Sequence, residues 1–243
     1  MHSSDDFSPA PDLPPEFESG PQVTCLSPRD VPALLELERE KWDDEQAASR
    51  TDLDARIGIH PELSMGAFCP CTGRALASLF LKPVAADFWQ HAGTWRECAD
   101  ALPSKDGHSL FGISLSSRDP SAVDALFRFF WPQALKSGWR HIYLGSPVPG
   151  LQDWLRRHRK GRVEDYVNRQ RGGLPADPQL RYYHSRGFKD IVCVKPGYFP
   201  HARSLDHGVI LRGTIPLSTL APMWRALPLH STQRITRQLA GLL

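Results

Sequence analysis

The sequence has no apolar run near the ~20 residues that a membrane-spanning helix needs, so it predicts no membrane protein. It also lacks charge of one sign. With 29 Lys and Arg against 27 Asp and Glu, the formal net charge is +2, too small to predict a nucleic-acid partner. No Gly-x-Gly-x-x-Gly, P-loop or Ser-His-Asp order is present, which removes the usual sequence marks of dinucleotide binding and serine hydrolysis. Five cysteines occur, and only Cys69-Pro70-Cys71 is close-set. A structural metal site needs a second such pair or companion histidines, so no metal ligands are assigned and reduced thiols are expected. The opening Met1-His2-Ser3-Ser4-Asp5-Asp6 has neither a basic nor an apolar stretch of the secretory kind, and the expectation is a cytoplasmic protein.

What is present is a chain of 243 residues, 41% hydrophobic and 23% charged, long enough for one sizeable core. Residues 1–22 hold five prolines among Asp, Glu and Ser and predict a disordered lead. Val23 to Leu26 reads as a strand. Ser27-Pro28-Arg29-Asp30 then supplies a helix cap, a first-turn proline and an acid. Val31, Leu34, Leu35 and Trp42 follow at helical spacing, and a second helix is predicted from near Thr51 to Ile59. Met65 to Phe68 and Arg74 to Leu81 read as the arms of a hairpin. Pro83 to Gly107 shows little periodicity and predicts a loop or broken helix.

Leu110 to Leu115 is the next predicted strand. Asp119-Pro120 caps a helix carrying Val123, Leu126, Phe127 and Phe130, with a kink expected at Pro132. Trp139 to Leu144 reads as a strand, and Arg156 to Lys160 as a basic irregular segment. A helix over Gln179–Ser185, closed by Gly187, precedes strands at Ile191–Val194 and Val209–Leu211. Residues 216–243 form a proline-broken tail with a helix from Ser231 to Leu242. The order β-α-α-β-β, then β-α-β-α-β-β, predicts a mixed α/β domain over residues 23–215.

That order resembles the GNAT (Gcn5-related N-acetyltransferase) fold. Leu35-Glu36-Leu37-Glu38-Arg39-Glu40-Lys41-Trp42 is similar to the first helix of GNAT-like domains in polyketide synthase loading modules. Val163-Glu164-Asp165-Tyr166-Val167-Asn168, Asp177 to Tyr183, Ser185-Arg186-Gly187-Phe188, Gly197-Tyr198-Phe199-Pro200 and Asp206-His207-Gly208-Val209 continue the likeness in order. The resemblance covers most of residues 23–215. It implies a mostly antiparallel mixed sheet flanked by helices, with splayed middle strands that admit a pantetheine arm. It also implies work on an acyl thioester, by decarboxylation of malonyl-CoA or a methylated relative, or by transfer to an acyl carrier protein. Such chemistry needs donors aimed at the thioester oxygen.

The chain departs from that family at informative places. The family's glycine-rich phosphate loop falls on Ser116-Ser117-Arg118-Asp119-Pro120-Ser121-Ala122. No glycine is there, Pro120 lacks an amide donor, and Asp119 sets negative charge where a diphosphate is expected. Two like charges ~4 Å apart repel by about 1 kcal/mol in water and several times more in a drier site. A family histidine falls on Tyr183, with His184 one residue on and ~100° around a helix. The family's arginine for an acyl carboxylate falls on Phe199, which cannot pair with a carboxylate, so malonyl decarboxylation in the family's manner is not expected.

Two functions follow as expectations. The first is a GNAT-like acyltransferase of polyketide or secondary metabolism that moves an acyl group to or from an acyl carrier protein, with weak or absent CoA binding. Tyr183, Ser146 and His184 would be its catalytic groups. Ser117, Arg118 and Ser121 would be what remains of a cofactor loop, and Trp42 and Phe199 would line the substrate pocket. Its cofactor would be the carrier's phosphopantetheine arm or CoA. The second is a catalytically silent GNAT-fold protein that binds a carrier protein, a polyketide synthase or another biosynthetic partner. Each residue also has a plainer reading: Trp42 and Tyr183 as packing, His184 as solvated and Ser146 as a turn residue. Arg156 to Lys160 would be a solvated face, or a surface that meets an acidic carrier protein.

Overall fold

The structure, a computed structural model, describes residues 20–42, 46–101, 104 and 107–239. Most of the expected Pro-rich lead therefore lies outside the described residues, and Gln22 already opens a strand. Nine strands and ten α-helices are found among the described residues. The strands are β1 (Gln22–Cys25), β2 (Ser64–Phe68), β3 (Ala75–Val84), β4 (Ser109–Ser117), β5 (His141–Pro147), β6 (Gln170–Arg171), β7 (Leu174–Pro175), β8 (Asp190–Lys195) and β9 (Gly208–Thr214). The helices are α1 (Val31–Lys41), α2 (Arg50–Ile59), α3 (Phe88–His91), α4 (Trp95–Asp100), α5 (Pro120–Ser137), α6 (Leu151–Arg157), α7 (Val163–Val167), α8 (Pro178–Ser185), α9 (Ala221–Ala226) and α10 (Leu229–Leu239).

Seven strands form one sheet in the order β1-β2-β3-β4-β5-β9-β8, and β6-β7 form a separate two-residue hairpin. Every neighbour in the large sheet is antiparallel except β4 and β5. β3 is interior, and its alternation serves two cores at once. Leu79 and Leu81 join the core beneath α5, while Phe80 and Val84 join the core beneath α1 and α2.

α5 is the long helix of the first core. Ala122, Val123, Leu126, Phe130, Ala134 and Leu135 form its buried stripe. It continues through Pro132 as one 18-residue element, so the proline does not end it. Gly138 terminates it in the left-handed region (φ 82°), and the Gly138 and Trp139 amides return to Leu135 and Ala134. That closure uses Trp139 in the helix cap, and strand β5 therefore starts at His141, two residues later than the sequence predicted. The segment 216–239 packs α9 and α10 against α5, with Trp224, Thr232 and Thr236 buried. Pro83 to Gly107 contains the end of β3 and two short helices. α4 begins with a capping box in which Thr94 and Glu97 exchange side-chain-to-amide bonds. The basic segment read as irregular is helical up to Arg157.

The site is prepared by the β4–β5 pairing. These strands are bonded only over Ser109–Gly112 and His141–Leu144. Beyond that, β4 stays with β3 as far as Ser117, and β5 stays with β9 as far as Pro147. A bulge at Ile113, between the Phe80↔Ser114 and Leu81↔Gly112 pairs, bends β4 away. Where β5 leaves β4 it lies under Tyr198, whose ring covers both Gly145 of β5 and Gly208 of β9. A Cβ at either glycine would overlap that ring.

Two histidines sit in dry surroundings. Burial pushes the His60 and His141 imidazoles below their ordinary value near 6.5, and Arg212 and Arg140 add to the effect at His141. His60 Nε2 is buried with no hydrogen-bond partner. For a base depressed by folding, the unfolded chain binds more protons at low pH. The stability tied to neutral imidazoles is therefore complete above about pH 6.5 and is lost as pH falls through the folded value. Thermal unfolding should show Tm falling from pH 7.5 to pH 5, with the slope reduced in His60→Gln.

Candidate active site

A cavity of about 730 Å³ runs through the split between β4 and β5. One wall comes from Gly112, Ile113, Ser114 and Leu115, and the other from Leu144, Gly145 and Pro147. On the α5 side, Gln179, Tyr182, Tyr183 and Arg186 of α8 and its end form the mouth. On the opposite side, α1, α2, α4 and the Gly197–His201 turn enclose a chamber. The cavity thus joins the two faces of the sheet.

The chamber is lined by polar groups fixed to one strand. Ser114 and Ser116 are two residues apart on β4 and so share a face. Ser116 Oγ donates to Glu38, whose other carboxylate oxygen accepts from the Ala48 amide at 3.1 Å. Trp42 Nε1 donates to Ser116 Oγ at 2.7 Å, which pins the indole across the chamber although the side chain is 37% exposed. Arg56 donates to Ser114 Oγ at 3.3 Å and lies over the rings of Phe80 and Trp95, 5.6 and 6.0 Å from their centroids. Burial lowers the Arg56 guanidinium from its ordinary value, and Glu38 opposes that shift. Trp95 Nε1 donates to the Ile113 carbonyl at 3.0 Å, in the bulge. Phe199 also lines the chamber and meets Tyr198 edge-on, with ring centroids 5.2 Å apart.

Of the three expected catalytic side chains, the structure places only Tyr183 on the cavity wall. Burial raises its hydroxyl above the ordinary tyrosine value, so it is protonated at neutral pH. His184 follows it on α8 and is off the wall, whereas Tyr182, one residue the other way, is on it. Ser146 is fully buried, and its hydroxyl donates to the Pro147 carbonyl at 2.9 Å rather than facing the cavity. Trp42 and Phe199 both line the cavity. Glu38, Arg56, Ser114 and Ser116 are additions that sequence reasoning missed. The even spacing of the two serines in β4 was the available signal. Nothing local marks Glu38 as a partner of Ser116, 78 positions away.

The loop before α5 is bonded within itself and to neighbouring elements. Asp119 Oδ1 accepts from the Ser121 amide at 2.8 Å, and Asp119 Oδ2 accepts from Ser121 Oγ at 2.9 Å. The Asp119 carbonyl takes the Ala122 amide at 3.1 Å, and Pro120 has no amide proton. Ser117 Oγ donates to the Asp119 carbonyl and accepts from the Asp119 amide, at 2.8 and 3.1 Å. Arg118 is drawn to α1, where its guanidinium pairs with Glu40 at 2.6 Å. Lys41 first, and Arg118 after it, hold the Glu40 carboxyl below the usual range. The three residues expected to remain from a cofactor loop, Ser117, Arg118 and Ser121, are thus all committed to internal bonds.

A mostly antiparallel seven-stranded sheet, helices on both faces and a split between its one parallel pair define the GNAT fold. No family model matches the chain, and no curated protein sequence matches it. Among solved structures it is similar to the GphF GNAT-like decarboxylase in complex with isobutyryl-CoA. The identity there is 24% over 80% of this chain and 99% of that one, with a TM-score of 0.66. It is also similar to the loading GNATL domain of CurA from Lyngbya majuscula, at 16% identity over 81% of this chain and 98% of that one, with a TM-score of 0.69. Ard1 from Thermoplasma volcanium matches more distantly, at 11% identity over 81% and 99% of the two chains, with a TM-score of 0.50. The chain thus has a GNAT fold close to that of the loading-type domains.

The cap on α5 has a measurable stability. Replacing a side chain that holds a first-turn amide costs about 1 kcal/mol. Asp119→Ala should therefore lower Tm by about 2–4 °C in a chain of this size, read by calorimetry at pH 7.

Proposed function

We propose that the protein handles an acyl group held as a thioester in polyketide or related secondary metabolism. The acyl group moves to or from the phosphopantetheine arm of an acyl carrier protein, and the diphosphate of CoA contributes little to binding. The observation that carries this reading is the open cavity through the sheet beside a helix N-terminus already occupied by Asp119. A pantetheine arm is served by the cavity alone. CoA brings in addition a diphosphate, which would have to displace an aspartate from the α5 amides and sit against its charge. The GphF decarboxylase is seen with isobutyryl-CoA, a thioester, and the likeness of fold supports a thioester ligand here.

Within the split, Tyr183 is the group that reaches the thioester. Its neutral hydroxyl donates to the carbonyl oxygen as charge develops there, or protonates the departing thiolate. Trp42, held by Ser116, and Phe199 bound the acyl end of the chamber. The second reading is a silent binding protein. It is favoured by the orientation of Ser146 and His184, which leaves Tyr183 as the one expected catalytic side chain at the cavity.

Intact-protein mass spectrometry separates the two. Acetyl-loaded carrier protein, acetyl-CoA and malonyl-CoA are each incubated with the protein, and acyl mass is followed on both proteins. The enzyme reading expects turnover of the carrier-bound acyl group above the protein-free control, reduced ~10²-fold in Tyr183→Phe. A stable complex with loaded carrier and no acyl movement supports the silent reading. Absence of both binding and turnover with carrier contradicts the proposal.

A further inference from the structure

The charge of this chain is unevenly placed. Residues 148–189, between β5 and β8, hold ten Lys and Arg against four Asp and Glu, a net of +6 in a protein of net +2. The remainder of the chain is therefore acidic by four charges. One of the four carboxylates in the segment, Asp177, is buried and bonded internally, so the surface is more basic still. The cations concentrate at the C-terminal end of α6 and the turn after it, where Arg156, Arg157, Arg159, Lys160 and Arg162 are exposed. Arg156 shares Asp153 at 3.2 Å, and Arg162 shares Glu164 at 3.4 Å. Arg159 and Lys160 pair with no carboxylate among the described residues. An open groove of about 590 Å³ lies between them, Trp154 and Asp165.

This basic end is coupled to the mouth of the cavity by a buried junction. Asp177 caps α8 through the Gln179 and Leu180 amides. Its other oxygen accepts from Tyr166 of α7 at 2.7 Å and from the Gly150 amide, at the start of α6, at 3.1 Å. Asp177 thereby ties the starts of α6 and α8 to α7. Gln179, in the first turn of α8, lines the mouth. The seven residues of α6 carry the chain only about 10 Å from that junction to the basic end. Trp154 stacks on His158 with centroids 4.6 Å apart, which fixes the turn to the helix.

We propose that the α6 C-terminus and the turn after it form the docking surface for an acidic protein that inserts a thioester-bearing arm at the α8 mouth, namely an acidic face of the carrier protein. The inference rests on the function proposed above and adds the surface and the charge of the partner. Nucleic acid is the less suited occupant. Single strands bind basic grooves through stacked aromatic platforms, and here Trp154 is buried beneath His158. Opposite charge across such an interface acts chiefly on the association rate and on its salt dependence.

The test is charge reversal at Arg159→Glu/Lys160→Glu, two exposed positions away from the cavity, with wild-type melting as a control on folding. Association with acetyl-loaded acyl carrier protein is measured by stopped flow from 50 to 500 mM NaCl. Acetyl-pantetheine, which lacks a protein, is assayed in parallel. The inference expects about tenfold slower association at low salt, a flatter salt dependence and unchanged handling of acetyl-pantetheine. Unchanged carrier association in the reversed variant overturns the docking surface while leaving the proposed function intact. Loss of carrier and acetyl-pantetheine binding already in the wild type overturns the function itself. Tighter wild-type binding to a 20-base single strand or to anionic phosphatidylserine vesicles than to the carrier assigns the patch to another partner and overturns the inference.

Discussion

The Asp119 carboxylate takes the Ser121 amide in the first turn of α5, and the function proposed for this GNAT fold depends on that contact. In a helix start, the unpaired amides and the positive end of the helix dipole make a receptor for an anion, and here the chain supplies its own. Pro120 removes a further donor, and the Asp119 carbonyl closes on Ala122. Arg118, the nearest cation, is turned to Glu40 on α1. The result is a helix start with an internal cap beside an open cavity. On the proposed function, that asymmetry is what favours an arm delivered by a carrier over a free nucleotide-bearing cofactor.

The open cavity follows from the sheet. Two cores lie on opposite faces, and between them β4 and β5, paired over four residues, part for the rest of their length. The Ile113 bulge lies where the divergence starts, and Tyr198 covers Gly145 and Gly208 on the β5 side. Ser114 and the buried Ser116 tether Arg56, Glu38 and Trp42 around the chamber. The diverging strand β4 therefore also positions the polar groups.

Much of the fold was legible because its signals are local. The Asp119-Pro120 start of α5 and the two arms of the β2–β3 hairpin are each written within a few residues. The short helices α3 and α4 were less legible, since an element of four or six residues shows no period. The Thr94–Glu97 capping box was the cue that stood there. In the site, the Asp119 cap and the missing amide at Pro120 were readable from residue type alone. The chamber was not readable, because Glu38 meets Ser116, and Arg56 meets Ser114, across 78 and 58 positions. Nor does sequence indicate that the Ser146 hydroxyl bonds to the carbonyl of Pro147, the next residue, a matter of which way one hydroxyl turns in a filled space.

Calorimetric titration of the wild-type protein with coenzyme A and, separately, with pantetheine tests the central claim most directly. The two ligands share the thiol arm and differ by the phosphorylated nucleotide. The account predicts that CoA binds no more than a few-fold more tightly than pantetheine. A CoA affinity in the low micromolar range, with pantetheine orders of magnitude weaker, would show that the α5 start receives the diphosphate after all.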